Sequence, residues 1–484
     1  MTSAPNIVLI VLDTVRSKNL SCYNYSRDTT TFLDTLGDES MVFRNAYSPA
    51  PWTVPAHASL FTGMYVKDHK TNRENRHLNE TVPTIAELLS EAGYTTVGVS
   101  NNQFISPEFG FDRGFDQFIT NMHAYHEPVD RGTPISRIRS NTTGSSFLQN
   151  AIQAVKYVRS RGDRLLPTAA NWLYRKAGEV GLLSEFDRGA EITNSQIQEQ
   201  ISAADSPFFV FANYMEGHAP YRSPDEYKYQ YSSDPELDDW GTKERFFENR
   251  VENKEQKLTD LEDQYDGCIQ YLDHRIEQLY HSVEEMGELE NTLFIITGDH
   301  GESFGEHGLY EHESGVYNEL SNVPLIIGGG RQDSTTTVDQ PVSIRWLLPT
   351  LLNEVGIEPP SHSVKRNLFS PEGEVVIESE PLPYTLNDEM ECTVPPARYS
   401  SSIEAVVDSG HKFIRFNGDS TSELYAVSDT AEEVDRSDSN RELVQELSTL
   451  LDERLSTFST PARSDKHVEI SSDIEQHLSD LGYR

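Results

Sequence analysis

The sequence predicts an α/β protein: a mostly parallel central sheet with helices on both faces, followed by a small α+β lobe at the C-terminal end. Three observations carry this. Short apolar runs rich in Val, Ile and Phe alternate with amphipathic helical patterns through the first three quarters of the chain. The runs are continuous rather than alternating, as in strands buried on both faces, which is how parallel sheets are covered. Past Pro359-Pro360 the pattern changes to short hairpin-like strands and one closing helix.

In chain order, Ile7–Leu12 is the first strand and ends on Asp13. The string Thr53–Gly63 follows, with Pro55 suited to a first helical turn and Gly63 to its stop. Thr81–Gly93 reads as a helix: Val82, Ile85, Leu88 and Leu89 share a face, with Pro83 in its first turn. Thr95–Ser100 and Pro207–Tyr214 are strands. Asp263–Met286 is a helix on the spacing of Tyr265, Ile269, Leu272, Ile276 and Leu279, and Leu293–Thr297 and Val323–Ile327 are strands. In the C-terminal lobe, Glu374–Ile377, Ser401–Asp408 and Lys412–Phe416 read as strands and Arg441–Leu455 as a helix, with a polar tail beyond Phe458. The expected organisation is a catalytic α/β domain over 1–370 and a small α+β unit over 371–484.

The chain has 484 residues and a formal net charge of −38. Phosphate backbones demand clustered cations, so nucleic acid is excluded as a partner. The plain reading of the acidity is a solvated surface. The sharper reading, which we favour, is adaptation to a high-salt cytoplasm where counterions screen the self-repulsion. Three cysteines, Cys22, Cys268 and Cys392, form no disulfide or zinc pattern. The apolar run Ile7–Leu12 is too short for a leader or a membrane span. A soluble, cytoplasmic protein is expected. Residues 131–188 break the charge pattern, with ten basic side chains against four acidic ones. They read as a basic helical insertion whose cations pair with the acidic body, or else as a patch for peripheral membrane contact or an anionic substrate.

Ligands of open α/β sheets gather beyond the carboxyl ends of the strands. Asp13 lies at one such end, and Gly298-Asp299-His300-Gly301-Glu302 at another. Gly298 and Gly301 would let the backbone turn so that Asp299 and His300 face one point. Thr53 falls at or just before a helix N-cap, where free N–H groups favour anions. A threonine there is most often only a cap, and it gains interest if a metal also touches its oxygen. An imidazole among carboxylates favours manganese or zinc, with calcium and magnesium left open. His218, His307 and His312 follow strand ends, and one of them is suited to protonating a leaving oxygen.

Together these residues resemble the sulfatase family of the alkaline phosphatase superfamily. The resemblance runs in order along nearly the whole chain: Asn6–Arg16, Thr53–Gly63, Thr81–Ala86, Glu91–Tyr94, Gly298–Glu302, Tyr317–Glu319 with Val323–Leu325, Pro349–Leu352, and Glu423–Tyr425 with Asp429 and Glu432. It implies an alkaline-phosphatase-like fold, one divalent metal held by Asp13, Thr53, Asp299 and His300, Thr53 as nucleophile, and His218 near the leaving group. Several positions depart from the family pattern. Thr53 stands where many sulfatases carry a cysteine or serine converted to formylglycine. His57 replaces the family's arginine, Thr14 the second aspartate, and Asn101-Asn102 the Gly-Lys-x-x-His segment. Tyr214 takes the place of the aspartate in the Asp-x-x-x-His element of two-zinc relatives, so a single metal is expected. Threonine nucleophiles occur in related phosphodiesterases and phosphoglycerol or phosphoethanolamine transferases.

The expected function is metal-dependent hydrolysis of a small anionic ester, phosphoric or sulfuric, through a covalent Thr53 intermediate, with phosphodiesters favoured. The alternatives are a phospho-group transferase on lipid or glycan carriers and a non-catalytic metal-containing binder. The expected catalytic set is Thr53, His57, His218 and His312. Asn102, His218 and His307 are the expected substrate contacts. The oligomeric state is left open.

Overall fold

The computed structural model describes residues 4–121, 189–204, 207–232, 251–330, 335–383 and 393–456, with Phe246 and Asn249 between them. The basic segment 131–188, Cys392 and the tail beyond Phe458 therefore lie outside the described residues.

The central sheet has eight strands: β1 (Asn6–Leu12), β2 (Met41–Phe43), β3 (Thr95–Ser100), β4 (Gln117–Thr120), β5 (Phe208–Tyr214), β6 (Thr292–Gly298), β7 (Leu325–Gly328) and β8 (Thr336–Val338). Their spatial order is β8-β2-β7-β6-β1-β5-β3-β4. All pairings are parallel except those of β7, which runs opposite to both its neighbours β6 and β2. The expectation of a mostly parallel sheet holds, with β7 as the reversed strand. β1 is buried at every position and sits at the centre, flanked by β5 and β6. Continuous burial explains its unbroken Ile-Val-Leu-Ile-Val-Leu run.

The helices form two groups, one on each face of the sheet. α1 (Thr31–Asp38), α4 (Ala190–Ala203) and α5 (Lys254–Glu285) pack together, while α2 (Thr53–Thr62), α3 (Ile85–Glu91) and α6 (Leu347–Glu354) form the other group. α5 is longer than its apolar spacing suggests, because its first turns carry mostly charged and polar residues. α3 is shorter than the expected Thr81–Gly93. Thr84 caps it in a capping box with Glu87, so Pro83 precedes the helix instead of filling its first turn.

The C-terminal region forms its own antiparallel sheet of β9 (Val375–Ser379), β10 (Ile403–Val407), β11 (His411–Phe416) and β12 (Thr421–Ala426), in that order. α7 (Arg441–Ser456) packs on it through Leu447 and Leu451. β12 was not among the expected strands. Among the described residues, no helix is long and apolar enough to cross a membrane.

Candidate active site

β1, β3, β5 and β6 are parallel neighbours, so their carboxyl ends share one edge of the sheet. That edge brings together Asp13 after β1, Asn101-Asn102 after β3, His218 after β5, and Asp299-His300 after β6. α2 places Thr53 among them.

Asp13, Asp299 and His300 offer ligand atoms that all lie within 4.8 Å of one another. Each has one polar atom held by the protein and another facing the shared space. Asp299 Oδ1 accepts from the backbone N–H groups of Thr14 (3.2 Å) and His300 (2.8 Å), while Oδ2 has no hydrogen-bond partner. Asp13 Oδ2 accepts from Asn102 Nδ2 at 2.6 Å, while Oδ1 has none. His300 Nδ1 is bonded to the Gly301 carbonyl at 2.9 Å, which leaves Nε2 to face Asp299 Oδ2 at 3.4 Å and Asp13 Oδ1 at 4.0 Å. Thr53 Oγ1 lies 3.2 Å from the same Nε2.

The local sequence explains this convergence. Thr53 is the first residue of α2, one past the N-cap Trp52, so it does not hold the capping position, and its hydroxyl contacts His300 Nε2. The hydroxyl is therefore available to the cluster, and the cap-only reading of Thr53 fails. Thr14 takes a left-handed backbone conformation at φ +59, which turns its N–H onto Asp299. Gly298 and Gly301 are required for space, not for an unusual backbone angle. A Cβ at Gly301 would come within 2.0 Å of the Glu319 carbonyl oxygen, and one at Gly298 within 2.5 Å of the Val15 carbonyl oxygen.

Asp13, Asp299 and His300 are fully buried. Burial, with the charge of Asp299 added, pushes the Asp13 carboxyl up to about 8. Burial raises Asp299 to about 7 against the pull of the Thr14 and His300 N–H groups. Burial and neighbouring His312 lower His300 to about 4, so its imidazole is neutral at pH 7 and suited to coordination. Two orphaned carboxylate oxygens, a neutral imidazole nitrogen and a hydroxyl around one buried space fit a divalent cation. Such a charge would reverse the upward carboxyl shifts.

The remaining expected residues divide clearly. His312 lies beside the cluster, its ring centroid 4.6 Å from that of His300 and 5.1 Å from that of His218. Asn102 donates to Asp13 and accepts from the Phe104 N–H at 2.8 Å, so it orients a carboxylate of the cluster. His57 sits behind Asp299, with Nδ1 3.0 Å from the Thr53 carbonyl and 3.5 Å from Asp299 Oδ2. Its ring is edge-on to Phe61, Phe111 and Phe211, and burial lowers it to about 3. His57 is thus an uncharged backing residue, not a cationic group reaching substrate.

His307 is placed elsewhere. Its backbone turns at φ +51, and its ring stacks on Tyr317 at 3.8 Å beside Glu319 and Glu432. Lys412 Nζ lies 2.8 Å from Glu432 in that second cluster and supplies the compensating charge. Sequence reasoning did not give roles to Asn213, Tyr221 and Glu302. Asn213 faces His57 at 3.4 Å. Its place near the end of a strand beside β1 was the available signal.

The uncharacterized sulfatase YidJ of Escherichia coli (strain K12) is 25% identical over 380 residues, covering 76% of this chain and 71% of its own. An arylsulfatase of Clostridium perfringens (strain 13 / Type A) is 26% identical over 386 residues, covering 74% and 76%. Among solved structures, the phosphonate monoester hydrolase of Agrobacterium radiobacter superposes with a TM-score of 0.65 at 17% identity, over 94% of this chain and 96% of its own, a likeness of fold. The family model described as Sulfatase matches residues 5–357, which takes in the sheet edge and all four clustered side chains. The chain belongs to the sulfatase family of ester hydrolases.

Proposed function

We propose that the protein hydrolyses a small anionic ester with Thr53 as nucleophile, and that phosphoesters, diesters above all, are preferred to sulfate esters. The observation that carries this reading is the Thr53 hydroxyl, 3.2 Å from His300 Nε2 at the start of α2, one residue past the N-cap. Asp13, Thr53, Asp299 and His300 would hold one divalent cation, manganese or zinc by their mixed oxygen and nitrogen donors. When bound, the cation supplies a lowered hydroxyl pKa and a positive charge for the anionic ester.

The side chains do the rest. Thr53 reacts as the alkoxide, its proton released to solvent beforehand, and its Oγ bonds to the phosphorus or sulfur atom as the bond to the leaving oxygen breaks. The N-terminal N–H groups of α2 face the developing negative charge. His218 or His312 gives a proton to the leaving oxygen. Water then attacks the central atom and returns Thr53. Two features favour phosphoesters: a threonine that cannot become formylglycine, and an uncharged His57 in the family's arginine slot.

The test is one rate comparison in high salt with manganese or zinc supplied. It sets an aryl sulfate, an aryl phosphate monoester and a bis-aryl phosphate diester side by side. The diester is expected to have the highest kcat/KM. A faster aryl sulfate would overturn the preference, and no cation-dependent turnover of any ester would overturn the hydrolase reading.

A further inference from the structure

The geometry points to Glu302 and Tyr221 as positioning residues that hold His312 as the proton donor to the leaving oxygen. This rests on the Thr53 reading above and decides between the two histidines that it leaves open.

Glu302 lies two residues past His300 and is fully buried. Its Oε2 accepts from Tyr221 Oη at 2.8 Å, and its Oε1 is 3.0 Å from His312 Nδ1. With Glu302 as the carboxylate, both its oxygens accept, which puts a proton on His312 Nδ1 and leaves Nε2 as the ring's working nitrogen. Tyr221 is itself held. Its ring meets Tyr265 edge-on at 5.5 Å, and Tyr265 donates to the Thr14 carbonyl at 2.8 Å. Thr14 is the residue whose N–H holds Asp299. A continuous chain of contacts thus runs from the ligand Asp299 through Thr14, Tyr265, Tyr221 and Glu302 to His312. It fixes the imidazole relative to the cation cluster.

His218 is anchored differently. Its Nδ1 lies 2.7 Å from the neighbouring Ala219 carbonyl, a backbone group that carries no net charge. A full negative charge behind a ring complements the positive charge the ring bears while it carries the proton to be given. In the step itself, Thr53 reacts as the alkoxide, its proton already released to solvent, and its Oγ bond to phosphorus or sulfur forms; the same alkoxide is returned when the ester is released. The bond to the leaving oxygen breaks with its electron pair, and that oxygen takes the proton of His312 Nε2. Nδ1 keeps its proton toward Glu302, and Nε2 is then an acceptor for the water that releases the Thr53 ester.

Two measurements on the full-length, cation-loaded protein test this. The first is nitrogen NMR of histidine-labelled protein. His312 is expected to be protonated at Nδ1 in wild type and to lose that preference in Glu302→Gln. The second is a series of aryl esters of decreasing leaving-group acidity. Glu302→Gln and His312→Gln are expected to lose only a few fold on the most activated ester, but on the order of 10²-fold or more on the least activated. Tyr221→Phe should fall between them and wild type. Equal losses across the series, an unchanged His312 tautomer, or a leaving-group dependence altered only by His218→Ala would overturn the assignment. If Glu302→Gln does not fold, His312→Gln and Tyr221→Phe leave the carboxylate in place and decide the matter. The tautomer measurement needs no turnover, so it remains decisive even if Thr53 proves not to be the nucleophile.

Discussion

Removing the cation should make the protein less stable as pH rises, and Asp299 shows why. Its carboxyl is raised from 3.8 to about 7 by burial. A carboxyl raised in the folded state binds its proton more tightly there than in the unfolded chain. The cation-free fold is therefore favoured below the unfolded value and weakened progressively as pH climbs to the folded one. At about 1.36 kcal/mol per unit, Asp299 alone accounts for a loss of about 2–3 kcal/mol between about pH 5 and about pH 8. Asp13, raised to about 8 by burial and by Asp299, acts in the same direction, but the two share one repulsion and do not add. Other buried carboxyls, such as Glu378 at about 7, titrate in the same window. The quantity to measure is thus the difference between wild type and Asp299→Asn, by urea unfolding with chelator present. The variant should gain on wild type by about 2–3 kcal/mol across that range. Adding manganese should reverse the order, because only wild type keeps the full ligand set. A wild-type-minus-variant difference that stays flat with pH in chelator would refute the reasoning.

Three further outcomes follow from the same geometry. Thr53→Ala should cut kcat by on the order of 10⁴–10⁶, while circular dichroism and cation uptake show an intact fold with a weakened site. Arg16 is fully buried between Glu306 (2.9 Å) and Glu262 (2.5 Å), so Glu306→Gln, which leaves Glu262 to pair with it, should cost about 1–3 kcal/mol in denaturant unfolding. Burial alone would raise the Glu306 carboxyl, but Arg16 and Lys18 hold it well below the usual range. Its stabilisation is present above the unfolded value near 4.5 and disappears as pH falls toward the folded one, and the variant should lack this acid dependence. With a net charge of −38, the thermal midpoint should climb as KCl is added, and a midpoint insensitive to salt would remove the high-salt reading.

The parts of the fold legible in the sequence are those where burial is one-sided in its demands. β1, β5 and β6 are buried at every position and mostly apolar because both their faces are covered, and their ends locate Asp13 and Asp299-His300. Strand direction is not written in composition, so the reversal of β7 was invisible. β12 begins with exposed Thr421 and half-buried Ser422, followed by the buried but acidic Glu423, which hides it among turns. At the site, sequence proximity misled for His307. It lies close to His312 in the chain, yet one left-handed turn and a stacked Tyr317 send it to another cluster. Glu302 and Tyr221 went unassigned for the opposite reason. Their meaning comes from contacts across 81 residues of chain, which no local pattern encodes.

The most direct test is a crystal structure of the protein grown with manganese and orthovanadate, with anomalous data collected to locate the metal. The expected result is one manganese peak bounded by Asp13, Thr53, Asp299 and His300, with vanadium bonded to Thr53 Oγ. A manganese peak away from those four side chains, or vanadium held by another residue with Thr53 turned aside, would contradict the account.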